Sequence, residues 1–285
     1  MIQIFFDKDA GLCAGVQRTI RAALRLAEEH SQVVALGELV HNPVITDNLK
    51  KAGIQVITDP ARLTQDQHII IRAHGIPPQS ERVLRDQKLT YTDLTCPRVK
   101  KVHSIITNYT QKGYEIIIIG GAHHPETIGH RGYAGIKGRV ISTPQEAEQL
   151  ALNPEKYYLL ITQTTISTQL FTEIIPILQN KSRKLTIKET ICPAVTGRQE
   201  WIKRYAPLTE ASLIIGGKNS SNSGKLYELA MQYNRAYWLG KSEELTPDLI
   251  RYKSIAVTAG TSTPQEVIQT VLAYFSQQGA AITAC

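Results

Sequence analysis

No run of apolar residues in this 285-residue chain approaches the ~20 that a helix needs to cross a bilayer, which excludes a helical membrane protein. Cysteine is scarce: four in all, too few for the disulfide framework of a small secreted domain and expected as thiols in a reducing compartment. No C-x₂-C pair of the structural-zinc kind is present. Nor does a G-x-G-x-x-G follow a strand, so no nicotinamide or flavin site of the chain's own is expected. Gly216-Gly-Lys-Asn-Ser-Ser-Asn-Ser-Gly-Lys225 invites a phosphate-loop reading and fails it. Six residues separate Gly217 from Gly224, and Leu226 stands where Ser or Thr is required. Aromatics are only 6% and Lys and Arg are scattered, so the net charge of +7 is not the footprint of a nucleic-acid binder. It suits a phosphorylated substrate or an acidic protein partner instead. Met1-Ile-Gln-Ile-Phe-Phe6 reads as a strand rather than as a signal peptide. With 42% apolar and 20% charged residues, the expectation is a cytoplasmic globular enzyme or binding protein.

Branched apolar runs alternate with helical periodicities throughout. Val33–Leu36, Ile69–Ile71, Ile116–Ile119, Tyr158–Ile161, Leu213–Ile215 and Ile255–Val257 are the runs. Val16, Ile20, Leu24 and Ala27, then Val99, Val102, Ile106 and Tyr109, repeat at helical spacing, the second series ending near Gly113. This is the pattern of an α/β protein with parallel sheets covered on both faces.

A threefold repeat runs through it. Cys13, Cys96 and Cys192 each follow an expected strand and precede an expected helix, and each is followed 24 residues later by a glycine, Gly37, Gly120 and Gly216. Four residues beyond those glycines stand His41, His124 and Ser220. A second strand in each third ends at His74, Thr164 or Ser262, which lie 61, 68 and 70 residues after their cysteines. The chain therefore divides into three α/β units, residues 1–95, 96–191 and 192–285, with Cys285 left over on a frayed tail.

Ligands of parallel sheets bind beyond the carboxyl ends of the strands, where all these residues fall. Three units about an approximate threefold axis would turn them into one cavity. Each cysteine opens a helix, an end that stabilises anionic sulfur. Three such thiolates suit an iron–sulfur cluster with one iron left open; a Cys₃His zinc site and three inert buried thiols are the other readings. His41, His74, His124, Ser220, Asn222 and Ser262 supply donors for an anion, and Glu126 is the one carboxylate placed for acid–base work. His30, His68, His103 and His130 read as ordinary structural histidines, and His123 as a neighbour of the site.

In combination these motifs resemble the 4-hydroxy-3-methylbut-2-enyl diphosphate reductase family of the non-mevalonate isoprenoid pathway. The resemblance is carried by Gly11-Leu-Cys-Ala-Gly-Val16, Gly37-Glu-Leu-Val-His-Asn42, Arg72-Ala-His-Gly75 and Thr95-Cys-Pro97, then by His124-Pro-Glu126, Thr162-Gln-Thr-Thr165, Lys218-Asn-Ser-Ser-Asn-Ser223 and Thr258-Ala-Gly260. It spans essentially the whole chain; Thr261 replaces the small residue common before Ser262. It implies a cloverleaf of three α/β units around a [4Fe-4S] cluster held by Cys13, Cys96 and Cys192. The open fourth iron would take the substrate hydroxyl. It also implies proton delivery by Glu126 with Thr164, and a diphosphate gripped by His41, His74, His124, Ser220, Ser221, Asn222 and Ser262. The implied reaction removes the hydroxyl as water with two electrons and two protons, giving isopentenyl and dimethylallyl diphosphate. Ferredoxin or flavodoxin would supply the electrons, and the positive charge suits such acidic donors. An iron–sulfur sensor has no need of a proton donor beside a phosphate pocket. A zinc phosphoesterase would use the same histidines as ligands.

Overall fold

A computed structural model describes residues 2–285. The first third runs β1 (Gln3–Phe6), α1 (Ala14–Glu29), β2 (Val33–Leu36), α2 (Pro43–Lys51), β3 (Gln55–Ile57), β4 (His68–Ile71), α3 (Pro78–Asp86) and β5 (Thr90–Asp93). The second runs α4 (Pro97–Gln111), β6 (Glu115–Ile119), α5 (Pro125–Ala134), β7 (Gly138–Ile141), α6 (Pro144–Gln149), β8 (Tyr158–Thr162), α7 (Thr168–Lys181) and β9 (Leu185–Ile187). The last runs α8 (Pro193–Tyr205), β10 (Ala211–Ile215), α9 (Ser221–Ala230), β11 (Arg235–Leu239), β12 (Ser254–Ala259), α10 (Gln265–Gln277) and β13 (Ala281–Ala284).

The uninterrupted apolar runs become inner strands because helices cover both of their faces. Every residue of β2, β6, β8 and β10 is buried. The α4 periodicity turns Val99, Val102 and Ile106 inward, proline occupies its first position, and Gly113 takes a φ of 84° just beyond its end.

All strand pairs are parallel, in sheets ordered β3-β2-β4-β5, β7-β6-β8-β9 and β11-β10-β12-β1-β13. The first four positions of each sheet correspond, so the fold is three α/β units. Strand pairing places β1 differently from a division at residue 95: it lies between β12 and β13, in the sheet of the last third. The strand before each cysteine closes the sheet of the preceding unit, β5 on β4 and β9 on β8; for β1 the preceding unit is the third. The expected frayed tail is likewise a strand. β13 pairs with β1, and the Cys285 amide donates to Phe6 O at 2.8 Å.

Two compact units emerge. The terminal unit comprises residues up to Gln17, Val40–Asn48 and Pro193–Cys285, and holds the five-stranded sheet. Its core includes Ile4, Leu213, Ile215, Val257 and Phe275 on one side and Trp201, Ile202, Ile214 and Leu226 on the other. The middle unit, Arg18–Leu39 and Leu49–Cys192, holds both four-stranded sheets, with cores around Ile69 and Leu84 and around Ile106, Ile118 and Ile161. No helix among the described residues is long and apolar enough to cross a membrane.

Candidate active site

The three cysteines are equivalent to the residue. Cys13, Cys96 and Cys192 immediately precede α1, α4 and α8, and their amides donate to Thr261 O, Ala73 O and Thr164 O at 3.0, 3.0 and 2.9 Å. Each acceptor lies two residues past the end of its strand, β12, β4 or β8. The glycines are equivalent too: the amides of Gly37, Gly120 and Gly216 donate to Ile57 O, Ile141 O and Leu239 O, the ends of β3, β7 and β11.

This register corrects one expected equivalence. His74 and Ser262 stand one residue beyond the cysteine's acceptor, where the second unit has Thr165; Thr164 is the acceptor itself. The miscount arises because the loops between cysteine and second strand differ in length.

In the terminal unit Cys13 follows a loop fixed by buried polar contacts. Arg198, from α8, donates to Asp9 O at 2.9 Å and to Gly11 O, and Thr258 Oγ1 donates to Asp7 Oδ2 at 2.6 Å. Burial raises the Asp7 carboxyl, opposed by the Thr258 and Asp9 hydrogen bonds and by the Arg198 charge. Ser220 caps α9, accepting from Ser223 N at 3.3 Å, so Ser221 and Asn222 lie in the first turn of a ten-residue helix. Neither amide atom of buried Asn222 has a hydrogen-bond partner among the described residues, which fits an absent ligand. Ser262 Oγ donates to His41 O at 3.2 Å, and Asn42 Oδ1 caps α2 by accepting from Val44 N.

In the middle unit His74 and His124 meet edge to face, ring centres 5.5 Å apart. His124 caps α5: its Nδ1 accepts from Glu126 N at 3.2 Å, which leaves Nε2 to carry the ring's N–H. Glu126, in the first turn, is 2% exposed. Its Oε1 accepts from Thr164 N at 2.6 Å, its Oε2 accepts from Thr164 Oγ1 at 2.8 Å, and His130 Nε2 lies 3.2 Å from Oε1. Burial pushes this carboxyl up, but the His130 hydrogen bond and charge, followed by the Thr164 amide, outweigh it and hold the pKa at about 2. Glu126 is therefore a carboxylate at neutral pH and has to be loaded with a proton before it can give one. Gln163 braces this corner, its Oε1 accepting from Gly121 N and Thr127 Oγ1, both at 3.1 Å.

Sequence reasoning took His130 for an ordinary structural histidine and gave Gln163 and Arg198 no role. For His130 the signal was present: it stands four residues after Glu126, the spacing that puts two side chains on one helical face.

Cys13, Cys96 and Cys192 are half-buried, reduced thiols, each opening a helix of 13 to 16 residues. Three thiol donors on helix N-termini, identically anchored, fit an iron–sulfur group better than paired-cysteine zinc.

Three helix-opening thiols and a buried, proton-accepting carboxylate on an α/β frame fit an oxidoreductase. A family profile described as LytB protein matches residues 4–276, and the chain belongs to this family. The family is one of iron–sulfur enzymes. The 4-hydroxy-3-methylbut-2-enyl diphosphate reductase of Clostridioides difficile (strain 630) is 35% identical over 275 residues, covering 96% of this chain and 99% of the relative. The Aquifex aeolicus protein of the same name is 35% identical over 277 residues, covering 95% of each. Among solved structures, the E-1-hydroxy-2-methyl-but-2-enyl-4-diphosphate reductase from Plasmodium falciparum matches with a TM-score of 0.94 at 26% identity, covering 100% of this chain and 92% of that one.

Proposed function

We propose that this chain reduces (E)-4-hydroxy-3-methylbut-2-enyl diphosphate to isopentenyl and dimethylallyl diphosphate, the last step of non-mevalonate isoprenoid synthesis. The observation that carries the reading is Thr164. Its amide and hydroxyl hold the Glu126 carboxylate while its carbonyl holds the Cys192 amide, so one residue ties a proton carrier to a cluster ligand.

Cys13, Cys96 and Cys192 would hold three irons of a [4Fe-4S] cluster whose fourth is open to substrate; when bound, the cluster supplies Lewis acidity and the two electrons. Ferredoxin or flavodoxin is the donor we assign, in the cytoplasm, and the chain's +7 charge suits either. The chain's own residues do the rest. Ser220, Ser221 and Asn222 present a capped helix N-terminus to the diphosphate, the end of a helix that favours anions. Ser262 and His41 of the terminal unit, and His74 and His124 of the middle unit, are the further donors we assign to the diphosphate. Glu126 and Thr164 pass protons: one leaves with the hydroxyl as the C–O bond breaks and water forms, and a second makes the new C–H bond. Three repeats, 1–95, 96–191 and 192–285, account for this layout. The matched anchoring of the three cysteines supports that division, with β1 exchanged into the last sheet.

The test is anaerobic purification, iron analysis and turnover of the diphosphate with a reduced ferredoxin or a chemical reductant. Brown protein that forms both products is expected; colourless protein containing zinc would overturn the reading.

A further inference from the structure

Gly216 opens the short loop that ends at Ser220, the cap of α9. Both backbone groups of this glycine are held. Its amide donates to Leu239 O at 2.8 Å, and its carbonyl accepts from Trp238 Nε1 at 2.7 Å. Trp238 stands on β11, the edge strand of the five-stranded sheet, in register with Ile214 of β10. Register partners on neighbouring strands point to the same face, and Ile214 packs there with Leu226 and Leu229 of α9. The indole therefore leans on the start of that helix: a Cβ on Gly224 would stand 3.4 Å from its Cη2. Trp238 meets the loop again at Lys218, whose Nζ donates to Trp238 O, lies 5.0 Å from the ring centre and stands 3.7 Å from Glu244 Oε2.

Ser223 fixes the helix start against the strand ends. Its side chain fills the space that Gly216 and Gly260 leave, and a Cβ on either glycine would overlap it. The loop in turn lies on the His41 segment. A Cβ on Gly217 would stand 2.9 Å from His41 O, the atom that accepts from Ser262 Oγ. A shift of the loop thus moves Ser220, Ser221 and Asn222 relative to His41 and Ser262. The second unit repeats the arrangement with a different donor. Gly120 donates to Ile141 O at 3.0 Å and accepts from Ser142 Oγ at 2.8 Å, and the loop it opens ends at His124. Ser142 follows the last residue of β7, whereas Trp238 precedes the last residue of β11. Two unlike side chains from different positions reach the equivalent carbonyl, so the common element is the pinned carbonyl itself.

We propose that Trp238 is a positioning residue for diphosphate binding, setting the Gly216–Ser220 loop and the start of α9 through the Gly216 carbonyl. The inference rests on the reading of Ser220, Ser221 and Asn222 as diphosphate donors. Hydrogen bonds weaken steeply with misalignment, so donors on a helix start act together only when the loop before them has one arrangement. A loop fixed before the anion arrives also loses less conformational freedom on binding, and affinity rises by that amount. Glu126 and Thr164 lie on other elements, α5 and the end of β8, so the effect falls on binding and leaves proton transfer alone.

The experiment compares Trp238→Phe with the parent holoenzyme, using inorganic pyrophosphate as the probe. Phe keeps an aromatic ring on the face that α9 covers and removes the N–H. Calorimetry should give a pyrophosphate Kd higher by about 2- to 10-fold, the effect of one neutral hydrogen bond, and KM for the substrate should rise alike. Iron content and kcat at saturating substrate should match the parent. A second readout leaves Trp238 in place. The chain has two tryptophans, so in ¹⁵N-indole-labelled Trp201→Phe holoenzyme the remaining indole N–H resonance belongs to Trp238. It should shift as pyrophosphate is added and saturate with the Kd from calorimetry. Parent-like Kd and KM in Trp238→Phe would overturn the proposal, as would a fall in kcat at constant KM or an indole resonance indifferent to saturating pyrophosphate. If Trp238→Phe does not fold, the resonance decides alone. Asn222→Ala separates this proposal from the reading beneath it. Parent-like pyrophosphate binding in that variant would take the diphosphate away from α9, and the proposal with it; weakened binding there beside a parent-like Trp238→Phe would make the proposal alone wrong.

Discussion

Glu126→Gln removes a proton carrier while leaving its hydrogen-bond frame standing. The amide oxygen can take the place of Oε1, accepting from Thr164 N and from His130 Nε2, now 2.6 and 3.2 Å away. The new NH₂ then faces Thr164 Oγ1, which turns from donor to acceptor across 2.8 Å. No buried polar atom is stranded, so the variant should fold and bind the diphosphate. What it cannot do is hold a transferable proton. General-acid assistance amounts to about 10²–10⁴ in rate, or roughly 3–5 kcal/mol of barrier. Turnover should fall by that factor with KM nearly constant, in single-turnover as well as steady-state assays. The loss should persist with a strong chemical reductant, because electron supply is not the affected step. Near-normal turnover would refute the argument; lost binding with intact iron content would make Glu126 a substrate-positioning residue instead.

The same substitution has a thermodynamic reading. A carboxyl held at about 2 in the fold, against an ordinary 4.5, contributes on the order of 3 kcal/mol. Its pKa is depressed, so this stability is fully present above about pH 4.5 and is lost as pH falls through about 2. Urea unfolding of Glu126→Gln should show a weaker acid dependence over that window than the parent. Parallel curves would mean that the carboxylate is not held as its contacts imply.

Serine at Cys13, Cys96 or Cys192 should each reduce iron per chain and abolish turnover, whereas Cys285→Ser, just past the edge strand β13, should do neither; iron analysis of the four variants decides. His74→Ala, Asn222→Ala and Ser262→Ala should weaken diphosphate binding by roughly 10- to 150-fold, the effect of about 1.5–3 kcal/mol per charge-assisted hydrogen bond, with the visible spectrum unchanged in a binding titration. Arg198→Met should destabilise the fold by about 3 kcal/mol in urea unfolding, since it releases the Asp9 and Gly11 carbonyls and leaves buried Asp7 without its cationic neighbour.

Much of this was legible in the amino-acid order because the signals are local. Ile116–Ile119 can only be a strand covered on both faces, and β6 is buried throughout. Proline after Cys96 and Cys192 marks helix starts, and the helices begin there. The glycine 24 residues after each cysteine survives as an equivalence of backbone hydrogen bonds. What escaped is non-local. Nothing in Gln3–Phe6 says which strand it will join, since any parallel edge offers the same amides and carbonyls. Its place between β12 and β13 depends on chain ends almost three hundred residues apart. The offsets of 61, 68 and 70 residues hid a one-residue shift because they count loops together with strands. The charge of Glu126 was hidden for another reason. Burial alone pushes its pKa up, and the donors converging on it from Thr164 and His130 reverse that sign.

Thr164 shows why a one-residue shift in that count matters chemically. Two of its three contacts belong to the backbone, the amide to Glu126 and the carbonyl to the Cys192 amide; only the Oγ1 contact needs a threonine. The end of β8 therefore sets the carboxylate and the thiol together, whatever side chain stands there. In the other two units the equivalent positions, Ala73 and Thr261, keep the carbonyl that anchors a cysteine. Among the described residues, Thr164 is the one of these three positions that holds a carboxylate. The repeat supplies three matched thiol anchors, and the acid is an addition to one of them, made by placing Glu126 in the first turn of α5 and His130 one turn later on the same face. A symmetric fold acquires a single proton-delivering side in this way, with no change to the strands that hold the cysteines.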